Sequence, residues 1–367
     1  LPIKAQLVQP DFEESFWTLL IGKGYPSPRQ MFRWCTDRLK IKPTTNFIKK
    51  QLNEYDEVIV VLGVRKGESA SRDKVLENAK FEGKKLKRHN SLNNAYIYAP
   101  IENFDTEDVW HYLLIKNEGI SPWDTDNNNL YSLYRESDSE CPMVINKKSS
   151  PCGNSRFGCW VCTVVKEDKA IKGFIESGEE WLRPLAEFRK YIYDIRNQRD
   201  KREKRRRNGA VYTVEREGKK LKGLGPFTLE ARQEILKKLL KTQKKVSDHL
   251  DYPLIRKEEL KLIRKEWIDS GDWRDTLPEI YESVYGEELP WEYDNNFLLD
   301  EEDKKILKRL CQEEDINVDV LKKLISLESQ YIGLDYRYNV YKKIKKILKQ
   351  DWIHYDEIKT IDNGRNV

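Results

Sequence analysis

Residues 56–64 run Asp-Glu-Val-Ile-Val-Val-Leu-Gly-Val, a continuous aliphatic and β-branched stretch that stops at Gly63. Apolar character without alternation predicts a strand covered on both faces, as in a parallel sheet. Upstream, Phe47, Ile48 and Leu52 recur at helical spacing within residues 44–55. Residues 95–99 predict a second strand. After it, Asp105 or Thr106 caps a helix whose apolar positions are Val109, Trp110, Leu113 and Leu114. The alternation of strand and helix predicts an α/β domain with a parallel sheet. Residues 3–9 also read as a strand, and the chain opens on Leu1-Pro2-Ile3-Lys4 without a Met. It is therefore expected to begin inside a fold, as a piece of a longer protein.

The pattern breaks over residues 126–165, where Asn, Ser, Gly and Cys replace regular periodicity. A long irregular segment within a domain is usually functional or disordered, and the cysteines gathered here favour function. From about Gly173 the chain becomes helical and charged. A dense basic stretch covers 189–207, and 209–225 reads as an exposed hairpin or loop. Residues 228–246 place Ile235, Leu236, Leu239 and Leu240 on one helical face. Further helices are marked by Leu260, Ile263 and Trp267, by Ile306, Leu307 and Leu310, by Val320, Leu321, Leu324 and Ile325, and by Ile344, Ile347 and Leu348. The expected organisation is an α/β domain at 1–172 with a cysteine loop at 141–165, then a basic helix and hairpin at 173–225. A mainly helical domain at 226–367 completes it.

Charged side chains make up 35% of the 367 residues and the mean hydropathy is -0.78, which describes a strongly solvated chain. The net charge of +5 is too small to imply a polyanion partner by itself, so local clusters must carry that argument. No apolar run approaches the ~18 residues of a membrane span, and no basic segment followed by an apolar block marks a secretory signal. A cytoplasmic protein with no membrane partner is expected. Six cysteines in such a chain suggest a reducing compartment and metal or redox chemistry rather than a disulfide scaffold.

Cys152, Cys159 and Cys162 are spaced C-x6-C-x2-C, with Gly153 and Gly158 allowing the tight turns that let the thiolates converge. A loop supplying three thiolates, with a fourth from elsewhere, suits an iron–sulfur cluster. Structural zinc is the main competitor, although zinc sites more often use two short Cys pairs. By spacing, the fourth ligand is Cys141, the nearer, or Cys35, which otherwise reads as a buried thiol at a helix start. Cys311 lies one turn from Leu307 on an apolar helix face and reads as core.

Gly63 leads into Val64-Arg65-Lys66-Gly67-Glu68-Ser69-Ala70-Ser71-Arg72. A loop after a parallel strand faces the edge where α/β folds bind ligands. Arg65 and Arg72 suit forked bonds to phosphate, with Ser69 and Ser71 as hydroxyl donors. Arg38, Lys40 and Lys42 form a second cationic group. Two such motifs around one strand favour a polyphosphate or a nucleic-acid backbone over a merely solvated loop. Further along, Lys201, Arg202, Lys204, Arg205, Arg206 and Arg207 read either as a solvated face or as phosphate-backbone contacts.

Taken together these motifs resemble the PAPS reductase superfamily, whose fold is that of the adenine nucleotide alpha-hydrolases. The resembling elements are Cys35-x-x-Arg38, Gly63-x-Arg65-x-x-Glu68-Ser69-x-x-Arg72, Pro100-Ile101 with Asp108-Val109-Trp110-His111-Tyr112, and Cys159-x-x-Cys162. Within it, the stretch from Phe16 to Pro28, Phe32-Arg33-Trp34-Cys35-Thr36 and the loop from Pro151 to Cys162 are similar to the DndC-type subunits of DNA phosphorothioation systems. The resemblance implies a [4Fe–4S] cluster on Cys35, Cys152, Cys159 and Cys162, with Cys141 in reserve. It also implies nucleotide or phosphate contacts from Arg38, Lys40, Lys42, Gly63, Arg65, Glu68, Ser69 and Arg72. The implied reaction is ATP-dependent replacement of a DNA phosphate oxygen by sulfur, with Mg as the ATP counter-ion. The implied partners are DNA, a cysteine desulfurase as sulfur donor and the other phosphorothioation subunits, in a DNA-modification setting allied to restriction.

Two departures qualify the likeness. Cluster-bearing sulfonucleotide reductases have adjacent cysteines at the first position, where this chain has Trp34 before Cys35. The family's Ser-Gly-Gly-x-Asp-Ser ATP loop is absent and would precede residue 1, so an N-terminally truncated sheet is expected and the piece alone should not hydrolyse ATP. A sulfonucleotide reductase is the rival reading, disfavoured because residues 359–367 hold no cysteine. A DNA-docking or assembly module with a structural cluster is the non-enzymatic rival.

Overall fold

The aliphatic run at residues 56–64 does form a strand, β1 (Val58–Val61), but it is covered only in part: Ile59 is 54% and Val61 63% exposed. The computed structural model describes residues 3–66, 81–82, 86–89, 91–121, 124–137, 159–207, 211, 213–216, 219–272, 274–289, 291, 301–329, 331 and 337–349. By contacts the chain divides into two compact units, Leu1–Pro10 with Gln30–Ala186, and Asp11–Arg29 with Glu187–Val367.

In the first unit, β1 pairs in parallel with β4 (Ala95–Tyr98), Val58 opposite Ala95 and Val61 opposite Tyr98. Between them in sequence lie β2 (Phe81–Glu82) and β3 (Leu86–Arg88), and the sheet order is β1-β4-β3-β2. β3 runs antiparallel to both β4 and β2. The sheet is therefore mixed, which corrects the expectation of a parallel one. The cause is the short link from Arg88 to Ala95, since a parallel crossover needs about a dozen residues or more. The expected two-faced burial of β1 fails for a related reason. Among the described residues β1 sits at the edge of this sheet with only β4 beside it, so the unbroken apolar run overstated its cover. Residues 3–9 form no strand and are exposed, because apolar alternation alone provides no pairing partner.

The helix Lys42–Leu52 carries Pro43 in its first turn. It packs on β1 and buries Ile48. The helix Thr106–Ile115 begins at a reciprocal cap: the Asp105 carboxylate accepts from the Asp108 amide at 2.8 Å, and that of Asp108 accepts from the Asp105 amide at 2.9 Å. Trp110 meets Tyr131 and Tyr134 edge-on, with ring centroids 5.0 and 5.5 Å apart. Those tyrosines belong to the helix Asn127–Ser137, which packs on the helix Lys169–Glu176.

The second unit is helical apart from the hairpin β5 (Thr213–Arg216) and β6 (Lys219–Lys222). Thr228 caps the helix Leu229–Val246 by accepting from the Ala231 amide at 3.2 Å. Ile235, Leu236, Leu239 and Leu240 are all fully buried on it. Leu260, Ile263 and Trp267 of the helix Lys257–Asp269 are buried too. Into this core threads the N-terminal segment: the π-helical turn Thr18–Gly22 is buried at every residue. Trp267 donates its indole N–H to the Ile21 carbonyl at 2.8 Å, and Trp17 donates to Leu254 at 2.6 Å. Gly24 has φ 71, and a Cβ there would stand 2.8 Å from the Phe227 carbonyl oxygen, so both its conformation and its space demand glycine. By contrast Ile306 and Leu310, expected on a core-facing side of the helix Glu301–Glu313, are 45% and 48% exposed.

Candidate thiol centre and phosphate-facing edge

Trp34–Thr36 forms a helical turn that passes through a π-helical stretch, Asp37–Ile41, into the helix Lys42–Leu52. Such π insertions recur at functional positions because the extra residue re-aims side chains. Trp34 is buried and anchors the turn, leaving Cys35 half-buried beside it. At the other end of the site the Cys162 amide donates to the Cys159 carbonyl at 2.9 Å, closing the tight turn that the C-x-x-C spacing requires. Both thiols are half-buried.

These cysteines, distant in sequence, are neighbours in the fold. The Cys35 thiol is pushed up by burial and then by the negative charge Cys162 would carry, against hydrogen bonds from Thr36. The Cys159 thiol is driven far up, first by its hydrogen bond with Cys162, then by burial, then by the charges of Cys162 and Cys35. Lys40 opposes that rise. Cys35 and Cys159 thus hold their protons more tightly than free thiols, and a bound cation would relieve the same repulsion. Among the described residues, which include Cys35, Cys159 and Cys162, no group of three or more Cys, His, Asp or Glu side chains stands where it could hold a metal ion. Cys152 and Cys141 lie outside the described residues. Lys40, grouped in the sequence with the phosphate cations, is thus found within charge–charge range of a thiol.

The second feature is the edge beyond β1 and β4. The parallel register continues past the strands, with the Leu62 amide donating to Tyr98 and the Lys66 amide to Glu102, each at 2.9 Å. Gly63 is exposed in this loop. Arg65 donates to the Thr106 hydroxyl at 3.3 Å, and Lys66 reaches Asn103 at 3.0 Å. Glu68, Ser69 and Arg72 lie outside the described residues. Arg38 stands 3.5 Å from the carboxylate of its neighbour Asp37, and Lys42 is half-buried at the helix start.

Sequence reasoning missed the ion pair beneath this loop. Lys87 of β3, 3% exposed, donates to Glu102 at 2.8 Å, and Lys66 approaches the same carboxylate at 3.3 Å. The hydrogen bond from Lys87 holds Glu102 below its ordinary 4.5, outweighing burial and aided by Lys66. Lys87 sits in a strand too short and polar to read from periodicity, so the available signal was a lysine facing the apolar side. The depressed pKa means the pair's contribution is present above the ordinary carboxylate value and is lost as pH falls through the lower folded one. Lys87→Met is expected to cost about 1.5–3 kcal/mol at neutral pH and to flatten the acid limb. Urea unfolding at neutral and mildly acid pH measures both.

The basic stretch is largely committed within the second unit. Arg202 is buried, donates to the Gly225 carbonyl at 2.6 Å and also reaches the Arg196 carbonyl. It does not face solvent as a DNA-phosphate contact requires, which corrects the expectation for that residue: the fold uses its fork to tie down backbone carbonyls. Lys201 pairs with Glu234 at 2.7 Å, and Arg207 binds the Lys23 carbonyl at 2.9 Å and Glu266 at 3.1 Å. Arg205 is half-buried, while Lys204 and Arg206 are exposed.

Residues 11–165 match the family model of the phosphoadenosine phosphosulfate reductase domain. Members of that family are generally enzymes acting on nucleotide substrates. Two proteins of Methanocaldococcus jannaschii are similar to this chain. "Uncharacterized protein MJ0066" is 26% identical over 178 residues, 48% of this chain and 29% of its own length. "Uncharacterized protein MJ0973" is 27% identical over 173 residues, 44% of this chain and 36% of its own length. The chain thus spans about a third of each relative. No solved structure matches it. Among the described residues no helix is long and apolar enough to cross a membrane.

Proposed function

We propose that the chain is the DndC-type, iron–sulfur-carrying part of a DNA phosphorothioation enzyme. The observation that carries this reading is the approach of Cys35 to Cys159 and Cys162. The donor set fits a [4Fe–4S] cluster in kind, being soft thiols gathered from two segments. Cys152, Cys159 and Cys162 would hold it with Cys35, Cys141 being the reserve for Cys35. When bound, such a group supplies electrons or relays sulfur.

In the reaction, a non-bridging oxygen of a DNA phosphate attacks the α-phosphorus of Mg-bound ATP and pyrophosphate leaves. Hydrosulfide then attacks the DNA phosphorus and AMP leaves, so sulfur replaces oxygen. Adenylation is needed because oxide is a very poor leaving group and AMP a good one. Arg65, with Arg38 and Arg72, would offset charge that builds on the phosphates. Lys66 and Lys87 position the loop through Glu102. The Lys40 charge beside Cys159 lowers the cost of a thiolate there.

A sulfonucleotide reductase shares the same domain, and so is the competing reading. It requires a mobile nucleophilic thiol. Cys311, which lies outside the two thiol-bearing segments, is buried in its helix and does not suit that task. The complete protein, supplied with ATP, Mg, a cysteine desulfurase and sulfur-34 cysteine, is expected to place the label in DNA, read by mass spectrometry of nuclease digests. Sulfite release from APS or PAPS, with no label in DNA, would overturn the proposal in favour of the reductase.

A further inference from the structure

The helix Val340–Leu348 takes no part in the chemistry above. It reads Val-Tyr-Lys-Lys-Ile-Lys-Lys-Ile-Leu and contains no acid. Val340, Ile344 and Ile347 pack against Leu327 and Tyr331, and Lys343 lies over the Tyr331 ring at 4.9 Å. The inward face is therefore spent. Lys342, Lys345, Lys346 and Lys349 recur at i, i+3, i+4 and i+7 and are all exposed, so they form one stripe roughly 10 Å long. Among the described residues none of the four has an acidic partner. Beside them Tyr338 and Tyr341 are 75% and 86% exposed.

An ordinary solvated face mixes signs, as the helix Glu301–Glu313 does, where Arg309 pairs with Glu313 at 3.8 Å. The helix dipole favours lysines in a last turn, and that accounts for the helix Leu229–Val246, whose lysines follow Glu230 and Glu234. It does not account for Lys342 in a first turn, nor for the lack of any acid. A membrane surface is a poor occupant, because the apolar side that would enter lipid is already buried against Leu327 and Tyr331.

We propose that Lys342, Lys345, Lys346 and Lys349 dock the phosphodiester backbone of a nucleic acid, with Tyr338 and Tyr341 alongside for sugar or base contact. This deepens the phosphorothioation reading, on which it rests for taking DNA as the polymer. It also separates docking of the strand from the chemistry on it.

The test titrates the full chain with a short fluorescent DNA duplex over a salt series. Two variants remove equal charge: Lys342→Gln with Lys345→Gln and Lys346→Gln, against Lys237→Gln with Lys241→Gln and Lys245→Gln. Thermal melts check that both fold. The first set is expected to reduce the salt slope by about 3, near one per lost phosphate contact. Its affinity should fall on the order of tenfold or more near 0.1 M salt, while the second set changes little. Equal losses in both sets, no loss in the first, wild-type protein that ignores DNA, or preference for vesicles of anionic lipid would each overturn the proposal. Wild-type DNA binding that survives in the first set sinks the stripe and leaves sulfur transfer standing. Binding lost there, with no label reaching DNA from the wild-type protein, sinks the chemistry and leaves the stripe.

Discussion

Cys35→Ser should yield a folded protein that no longer retains iron and acid-labile sulfide through anaerobic purification. Serine keeps the size and removes the soft ligand, and the site offers little to replace it: the Thr36 hydroxyl is the near neighbour and Lys40 is a cation. Losing one of four thiolates typically leaves a cluster open to solvent and oxygen. Cys159→Ser and Cys162→Ser should behave alike, since both sit in the same closed turn. The effect expected is near-complete loss of bound iron with little change in thermal stability of the helical unit. Iron retained in Cys35→Ser but lost in Cys141→Ser would move the fourth ligand to the loop.

Trp267→Ala should produce the largest fall in stability from a single change outside the thiol centre. Trp267 is fully buried and holds the Ile21 carbonyl. Truncation of a large buried aromatic costs about 3–5 kcal/mol, and the orphaned carbonyl adds to that. The result is expected in denaturant unfolding as a midpoint shift. Trp267→Phe should recover most of the packing and little of the hydrogen bond. A variant as stable as the wild type would mean that the segment at 11–29 is not anchored as described.

The sequence made the helices legible where burial followed the 3.6 period, as at Ile235, Leu236, Leu239 and Leu240. β1 and β4 were legible as strands, whereas β2 and β3 were not, and the mixed direction of the sheet was missed with them. Whether β3 runs parallel or antiparallel to β4 depends on the length of the link between them, which an apolar pattern does not register. The stretch from Phe16 to Pro28 stood out through resemblance alone, and its residue choice follows from packing: every residue of Thr18–Gly22 is buried and Gly24 must clear Phe227. The nearness of Cys35 to the C-x-x-C turn could not be read from spacing, which left Cys35 and Cys141 both open; only the resemblance pointed to Cys35. The buried Lys87–Glu102 pair and the structural use of Arg202 were invisible because burial of a charge is decided by tertiary neighbours.

The proposed centre is shared by cysteines from two segments. Anaerobically purified wild-type protein analysed for metal and acid-labile sulfide tests it most directly. Iron and sulfide in equal amounts, approaching four of each per chain, is the predicted result. Zinc bound without sulfide, or no metal at all, would contradict it.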